Sequence, residues 1–285
     1  MKVYIIGHKG WIGQMYIKLF QKNDIDCVFS NFRGESDEIK QDILKQKPTH
    51  VLCCMGRTHG TLNGTKYTTI DYLQHNETLR ENINDNLYVP LTLALFLNDK
   101  DIHFTYIGTG CIYSYDEKHS LTVGFTEEEK PNFFGSNYST VKGFTNELMK
   151  QTNALTLRIR MPIVGYHHPR NFITKITTYE KICSISNSMS VLDELLPLSI
   201  KMMLNKDKGI FNFTNPGSIS HNEILTMYKT HIDPSFTWKN FTIEEQDKIL
   251  KSQRSNNLLE TNKLTNKYKV DDIKTAVLKI LKNFI

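Results

Sequence analysis

Tyr138 and Lys142 stand four residues apart in the stretch YSTVK, and Thr109 lies upstream in YIGTGCIYSY. On a helix that spacing puts both side chains on one face. A lysine charge beside a tyrosine favours the phenolate, so the phenol can exchange a proton with a carbonyl oxygen. A threonine hydroxyl can hydrogen-bond the same oxygen. Such a trio serves hydride transfer between a nicotinamide and a ketone or alcohol. A tyrosine–lysine pair alone is common on solvated helix faces, so this reading depends on what surrounds it. Cys111, two residues beyond Thr109, admits two readings. It is either a small hydrophobe filling space or a thiol whose thiolate can move protons. The residues alone leave both open.

The elements that must position these groups read as alternating strands and helices. KVYIIG is a β-branched run ended by glycine, and GHKGWIG follows it, placing Gly7, Gly10 and Gly13 between a first strand and a first helix. Glycines there allow a tight turn and let a pyrophosphate approach the free N–H groups of a helix N-terminus. The pattern predicts dinucleotide binding by Gly7, Lys9, Gly10, Trp11, Ile12 and Gly13. The segment after the second strand, SNFRG, carries no acid before Glu35. An acid there would bind a ribose 2′-hydroxyl. Arg33 is placed to meet a 2′-phosphate, so the expected cofactor is NADPH rather than NADH.

Further strands are expected at THVLCCMG, IHFTYIGTG and ALTLRIRMP, and helices at ESDEIKQDILKQ and SNYSTVKGFTNELMKQ. NINDNLYVPLTLALFLN reads as a long helix interrupted near Pro90. This alternation predicts an α/β fold, a Rossmann-like doubly wound parallel sheet with a smaller C-terminal substrate-binding lobe. Residues 1–160 would form the NADP-binding domain, with a segment near 185–212 returning to it. Residues 161–285 would be mainly the lobe, closing over the carboxyl ends of the strands, where ligands sit in open α/β sheets.

Composition excludes several classes. The 285 residues are 39% hydrophobic, enough for a sizeable core, and the net charge of +5 is spread without a basic arm, so nucleic acid is not an expected partner. Five cysteines in no zinc-like spacing point to a reducing, cytoplasmic compartment and no metal. The N-terminal strand leaves no room for a signal peptide, and no apolar run approaches a membrane span.

TGCIYSYD, EEEKPNFFGSNYSTVK, LRIRMPI, PRNFITKI, NSMSVLDELLPLSI, GIFNFTNPGSISHNEIL, IDPSFTWKNFT and RSNN closely resemble one family. It is the bifunctional UDP-4-keto-6-deoxyglucose 3,5-epimerase/4-reductases of rhamnose synthesis, extended short-chain dehydrogenase/reductases related to bacterial dTDP-4-dehydrorhamnose reductases. The resemblance covers nearly the whole chain. It implies conversion of a UDP-sugar substrate to UDP-L-rhamnose, with Tyr138 as proton donor, Thr109 and Lys142 supporting it, and Cys111 and Lys175 as the acid–base pair of epimerisation. Arg170, Asn171 and Phe172 would line the sugar and diphosphate site, Arg254 would grip the diphosphate, and Asn256 would add a hydrogen bond. A separate 4,6-dehydratase would supply the substrate, and a homodimer is a candidate assembly. The residues leave two alternatives: a reductase fed by a separate epimerase, and a non-catalytic nucleotide-binding subunit. His221, in SISHNE, is expected to cap or precede a helix rather than react. The chain departs from the family at CCMG, where an NAAG-like stretch is usual, and in the loop RTHGTLNGTKYTTIDY.

Overall fold

A computed structural model describes residues 1–284. Two compact units divide the chain: residues 1–108, 133–157 and 199–210 form the first, and 109–132, 158–198 and 211–285 the second.

In the first unit β1 (Lys2–Ile6) leads through the glycine turn to α1 (Trp11–Lys22), then to β2 (Asp26–Phe29), α2 (Asp37–Gln46) and β3 (His50–Cys53). With β6 (His103–Thr109), β7 (Leu155–Ile159) and β9 (Gly209–Asn212) these strands form a six-stranded sheet in the order β2-β1-β3-β6-β7-β9. Pairing is parallel from β2 to β6, with Ile6 opposite Cys53 and Cys53 opposite Tyr106. The apolar runs of β1 and β3 are buried, and Tyr4, Ile6, Val51 and Cys53 pack with Ile39 and Ile43 of α2. The strand order reverses between β1 and β3. In sheets of this kind that switch point opens a crevice for ligands, and the glycine turn follows β1 directly.

The loop 57–72 contains an unexpected hairpin of β4 (Gly60–Leu62) and β5 (Thr65–Tyr67). Its turn residues, Asn63 and Gly64, have φ of 48° and 78°, as a two-residue hairpin turn requires. The interruption expected near Pro90 takes the form of a π-helical turn, Asn84–Tyr88, between α3 (Leu79–Ile83) and α4 (Val89–Leu97). Proline has no N–H to give to the carbonyl four residues back. That carbonyl, of Asn86, instead accepts from the Thr145 hydroxyl at 2.7 Å, which fastens α5 (Asn137–Met149) to this segment. The Asn86 side chain also clasps the backbone of Arg57, accepting from its N–H and donating to its carbonyl, both at 3.0 Å. One proline thus frees a group that helps tie α5 to the loop following β3.

Beyond α5 the helices are α6 (Phe172–Thr178), α7 (Leu192–Leu204), α8 (His221–His231), α9 (Ile243–Ile249), α10 (Asn262–Thr265) and α11 (Ile273–Lys282), and the second unit is built around α6, α8 and α11. Ile173, Ile176, Ile224, Leu225, Ile273 and Val277 form its core. The short strands β8 (Lys181–Ile182) and β10 (Lys239–Asn240) pair in parallel. The division differs from the one expected at residue 160. Residues 109–132 belong to the second unit because the backbone N–H groups of Gly110, Tyr115 and Phe125 donate to the carbonyls of Ile159, Asn256 and Leu258. The stretch that returns to the first unit is 199–210 rather than all of 185–212.

Candidate active site

The glycine turn makes an anion cradle. Gly7 has φ of +80°, a left-handed conformation, and its carbonyl accepts the Gly10 N–H at 3.0 Å. A methyl group on Gly13 would lie 2.4 Å from the Gly7 carbonyl oxygen, so only glycine lets the helix start this close to the strand. Gly10 caps α1 without a side-chain hydrogen bond, and the first turn holds no acid. The first-turn N–H groups therefore suit a pyrophosphate. Lys9 is exposed beside this turn, and Trp11 and Ile12 are half-buried at its edge. Arg33 follows β2 with its side chain 88% exposed and Glu35 3.8 Å away, which leaves the guanidinium at the surface.

On α5, the hydroxyl of Ser136 accepts the N–H of Ser139 at 3.0 Å and starts the helix. Tyr138 is its second residue and Lys142 comes one turn later. Lys142 is only 4% exposed, and its Nζ donates to the hydroxyl of Tyr106 and lies 4.6 Å from that ring's centroid. Burial, with Cys53 and Tyr138 nearby, pushes the Tyr106 phenol well above its ordinary range. Tyr106 therefore stays a neutral acceptor for the lysine charge. The sequence reading missed Tyr106. A tyrosine in a strand buried along its length must find a polar partner, and that is the signal that could have found it.

In the second unit Thr109, the last residue of β6, is buried, and its Oγ1 accepts the N–H of Cys111 at 3.1 Å. The turn is held from beyond by Asn257, whose Nδ2 donates to the carbonyls of Gly110 at 3.1 Å and Tyr113 at 2.9 Å. Cys111 is half-buried and carries a free thiol.

Lys175 on α6 is drawn together with two of the other expected residues. Burial, then the charges of Arg170 and Arg254, push its ammonium below the ordinary lysine value. A lysine so placed releases a proton more readily. Burial likewise lowers Arg170. Arg254 is steadied by donating from Nη1 to the carbonyl of Ser252 at 2.9 Å and to the same serine's hydroxyl. Cations that share a field in this way would suit an anion such as a diphosphate. Asn256 accepts from Asn187 at 2.9 Å and donates to the Arg254 carbonyl at 3.2 Å, so it shapes the arginine's loop. Phe172 meets the ring of His221 edge-on at 5.1 Å.

Asn171 departs from the expected sugar-lining role. It is fully buried, caps α6 through the N–H of Ile173, accepts from Val164 N, and donates to the carbonyls of Val164 and Tyr166. Its side chain is occupied in holding the loop that presents Arg170. His221 is the first residue of α8, behind a capping box of Ser220 and Glu223. Burial holds its imidazole down to about 4, against a partly offsetting backbone hydrogen bond to Ile185, so it is neutral at physiological pH. Among the described residues no cluster of His, Cys, Asp and Glu could hold a metal ion, and no helix is long and apolar enough to cross a membrane.

No family model matches the chain. It is 48% identical over 286 residues to an uncharacterised protein of Acanthamoeba polyphaga mimivirus, covering 99% of this chain and 98% of that one. It is 44% identical to a bifunctional dTDP-4-dehydrorhamnose 3,5-epimerase/dTDP-4-dehydrorhamnose reductase of Arabidopsis thaliana, over 97% of this chain and 91% of that one. The crystal structure of a UDP-rhamnose synthase from the same mimivirus matches with a TM-score of 0.95 at 47% identity, over 100% of this chain and 99% of that one. A dTDP-4-dehydrorhamnose reductase from Clostridium acetobutylicum, 18% identical with a TM-score of 0.77 over 99% of this chain and 98% of that one, shares the fold.

Proposed function

The chain belongs to the family of bifunctional 3,5-epimerase/reductases that act on nucleotide-linked 4-dehydro sugars, and from that premise we propose that it converts UDP-4-keto-6-deoxy-D-glucose to UDP-L-rhamnose. One observation carries this reading. The likeness spans 97% of this chain and 91% of a relative named for both activities.

The 4-keto group acidifies the hydrogens on carbons 3 and 5, because the electron pair left by a departing proton delocalises onto the carbonyl oxygen. Cys111, as thiolate, takes the proton, and Lys175 returns one to the opposite face. The lowered affinity of Lys175 for its proton, caused by burial and by Arg170 and Arg254, supports the donor role. Arg170 and Arg254 hold the diphosphate. Thr109 and Tyr138 are assigned to the ketone oxygen, and Tyr138 supplies its proton during reduction.

NADPH, when bound, supplies the hydride for carbon 4. Its pyrophosphate fits the Gly7–Gly13 cradle, with Lys9, Trp11 and Ile12 at the rim and the exposed Arg33 available to a 2′-phosphate. Lys142, fixed on Tyr106, keeps positive charge near Tyr138. The substrate would come from a separate 4,6-dehydratase.

The test is to incubate the protein with the ketosugar in deuterium oxide without NADPH. Deuterium should enter at carbons 3 and 5. Cys111→Ala should abolish exchange and rhamnose formation, whereas Tyr138→Phe should mainly stop reduction. Absence of exchange in the unmodified protein would leave a reductase only, and equal loss of both activities in both variants would contradict the assigned roles.

A further inference from the structure

Residues 254–257, the stretch RSNN, run extended through the second unit. The Tyr115 N–H donates to the Asn256 carbonyl at 2.9 Å, and the next carbonyl, of Asn257, accepts the Ser188 N–H at 3.1 Å. In an extended chain successive side chains point to opposite sides. Burial follows that alternation: Arg254 and Asn256 are half-buried, whereas Ser255 and Asn257 are buried. The first pair belongs to the loop assigned to the diphosphate. The second pair meets the turn that carries Cys111.

Asn257 is fully enclosed. Its Nδ2 donates to the carbonyls of Gly110 at 3.1 Å and Tyr113 at 2.9 Å and to Ser255 Oγ at 3.0 Å. The Ser255 hydroxyl in turn donates to the Tyr113 carbonyl at 2.5 Å. The two carbonyls bracket Cys111. That of Gly110 belongs to the peptide bond joining Gly110 to Cys111, and the N–H of the same bond donates to Thr109 Oγ1 at 3.1 Å. A peptide unit is planar, so holding its oxygen and its N–H fixes the plane from which the Cys111 side chain departs. The amide has one workable orientation, because its oxygen turned toward two carbonyl oxygens would lose both bonds. Leu259 packs against the same turn, since a methyl on Gly110 would lie 2.5 Å from its Cδ1.

Asn257 is itself immobilised. Its N–H donates to Asn187 Oδ1 at 2.9 Å. Asn187 is fully enclosed, its Oδ1 also accepts from Arg160 Nη2 at 2.8 Å, and its Nδ2 donates to the Ile185 carbonyl at 3.2 Å and to Asn256 Oδ1 at 2.9 Å. Both lone pairs and both N–H groups of that amide are engaged. Arg160, just beyond β7 and 1% exposed, donates from Nη2 to the Ser255 carbonyl at 2.9 Å as well. Its Nε and Nη1 have no partner among the described residues, so the hydrogen bonds of its side chain all go to this network. A buried polar network of this kind rigidifies what it joins.

We propose that Arg254–Asn257 is a strut with two working ends, and that Asn257 is a positioning residue for epimerisation: it aims Cys111 at the sugar whose diphosphate Arg254 holds. The proposal rests on the readings of Cys111 as epimerase base and Arg254 as diphosphate ligand. In the proton transfer a C–H bond of the sugar breaks, an S–H bond forms on Cys111, and the electron pair passes to the ketone oxygen. Asn257 takes no part in that exchange of bonds. It sets the approach of the sulfur, and a base must stand within reach of the proton it takes. Loss of its bonds therefore lowers the rate at saturation rather than the affinity.

The test compares full-length Asn257→Ala, Asn257→Asp and Ser255→Ala with the unmodified protein. The rate of deuterium entry at carbons 3 and 5 is followed over a range of ketosugar concentrations in deuterium oxide without NADPH, and UDP affinity is measured by calorimetry on the same preparations. The backbone bonds of residue 257 remain in each variant, so UDP affinity should stay within about twofold and KM within about threefold. The kcat of exchange should fall roughly 10- to 100-fold in Asn257→Ala, further in Asn257→Asp, whose carboxylate faces two carbonyl oxygens, and about three- to tenfold in Ser255→Ala, which keeps the Gly110 tie. A residue with a merely structural role would move UDP affinity and melting temperature along with exchange. A folded Asn257→Ala protein with the parental kcat, or one whose loss lies wholly in KM, would overturn the proposal. If Asn257→Ala does not fold, either result in Ser255→Ala would overturn it instead. Failure of the underlying reading looks different: exchange that persists in Cys111→Ala removes the thiol as base, whatever the Asn257 variants do.

Discussion

Replacing Tyr106 by phenylalanine is a sharp test of how the reductive half is held. Lys142 is 4% exposed and its ammonium donates to the Tyr106 hydroxyl. The substitution removes one oxygen and leaves the ring, so the cation–π contact at 4.6 Å survives while a charge-assisted hydrogen bond is lost. Bonds to charged groups contribute about 1.5–3 kcal/mol, and a buried donor left short of a partner adds its own desolvation cost. For a chain of this size that corresponds to a fall in Tm of roughly 4–9 °C. The functional effect should be larger on reduction than on exchange, because Lys142 also loses the anchor that fixes its head group near Tyr138. Thermal melting, NADPH oxidation with the ketosugar, and deuterium incorporation without NADPH would be measured on the same preparation. A Tm within about 1 °C of the parent, together with an unchanged reduction rate, would refute the view that Tyr106 holds the lysine.

Other outcomes follow from particular distances and charges. Gly13→Ala places a methyl 2.4 Å from the Gly7 carbonyl oxygen; relieving it must open the turn, so NADPH affinity by fluorescence titration should fall at least about tenfold, with about 1–3 kcal/mol lost from stability. Because burial and Arg170 and Arg254 lower Lys175, activity needing its proton should decline on the alkaline side at a pH below the ordinary lysine value of about 10.4, and Arg254→Gln should move that decline to higher pH. His50 is enclosed, its Nε2 donating to the Met203 carbonyl at 3.0 Å, and burial holds it down to about 4, with Met203 partly offsetting. The unfolded histidine takes a proton below about 6.5 while the folded one stays neutral, so its contribution is present above 6.5 and lost as pH falls toward 4. A cost of about 1–2 kcal/mol at pH 5 should show in urea midpoints, and His50→Gln should flatten the difference between pH 7 and 5.

Features written in short-range pattern were legible in the sequence. The strand–glycine–helix opening, the helix carrying Tyr138 and Lys142, and the burial of the THVLC strand depend on residues within one or two turns of each other. Pro90 announced an interruption, but not that it would be a π turn whose freed carbonyl is taken by Thr145, 59 residues away. The hairpin at Asn63–Gly64 had a readable turn. Its strands, however, have only three residues each and Thr61, Thr65 and Lys66 face water, so no apolar alternation drew attention to it. Asn171 and Arg160 were beyond reach for a different reason. What an asparagine or arginine does depends on which groups surround its polar atoms, and the partners of Arg160 lie 27 and 95 residues along the chain. Sequence can identify polar residues in an apolar run such as LRIRMPI, but cannot say which of two arginines is satisfied.

The charge pattern of the second unit separates what stabilises it from what makes it work. Arg158 lies near a carboxylate and donates to neighbouring oxygens, so it behaves as part of the scaffold. Lys175, in the field of Arg170 and Arg254, is placed against the folded state's own interest, since like charges raise its free energy. Such an arrangement makes sense if an anion, the diphosphate, completes it. UDP alone should raise the melting temperature in proportion to its occupancy, and this gain should shrink in Arg254→Gln. A gain undiminished in Arg254→Gln would contradict the assignment of that arginine to the diphosphate.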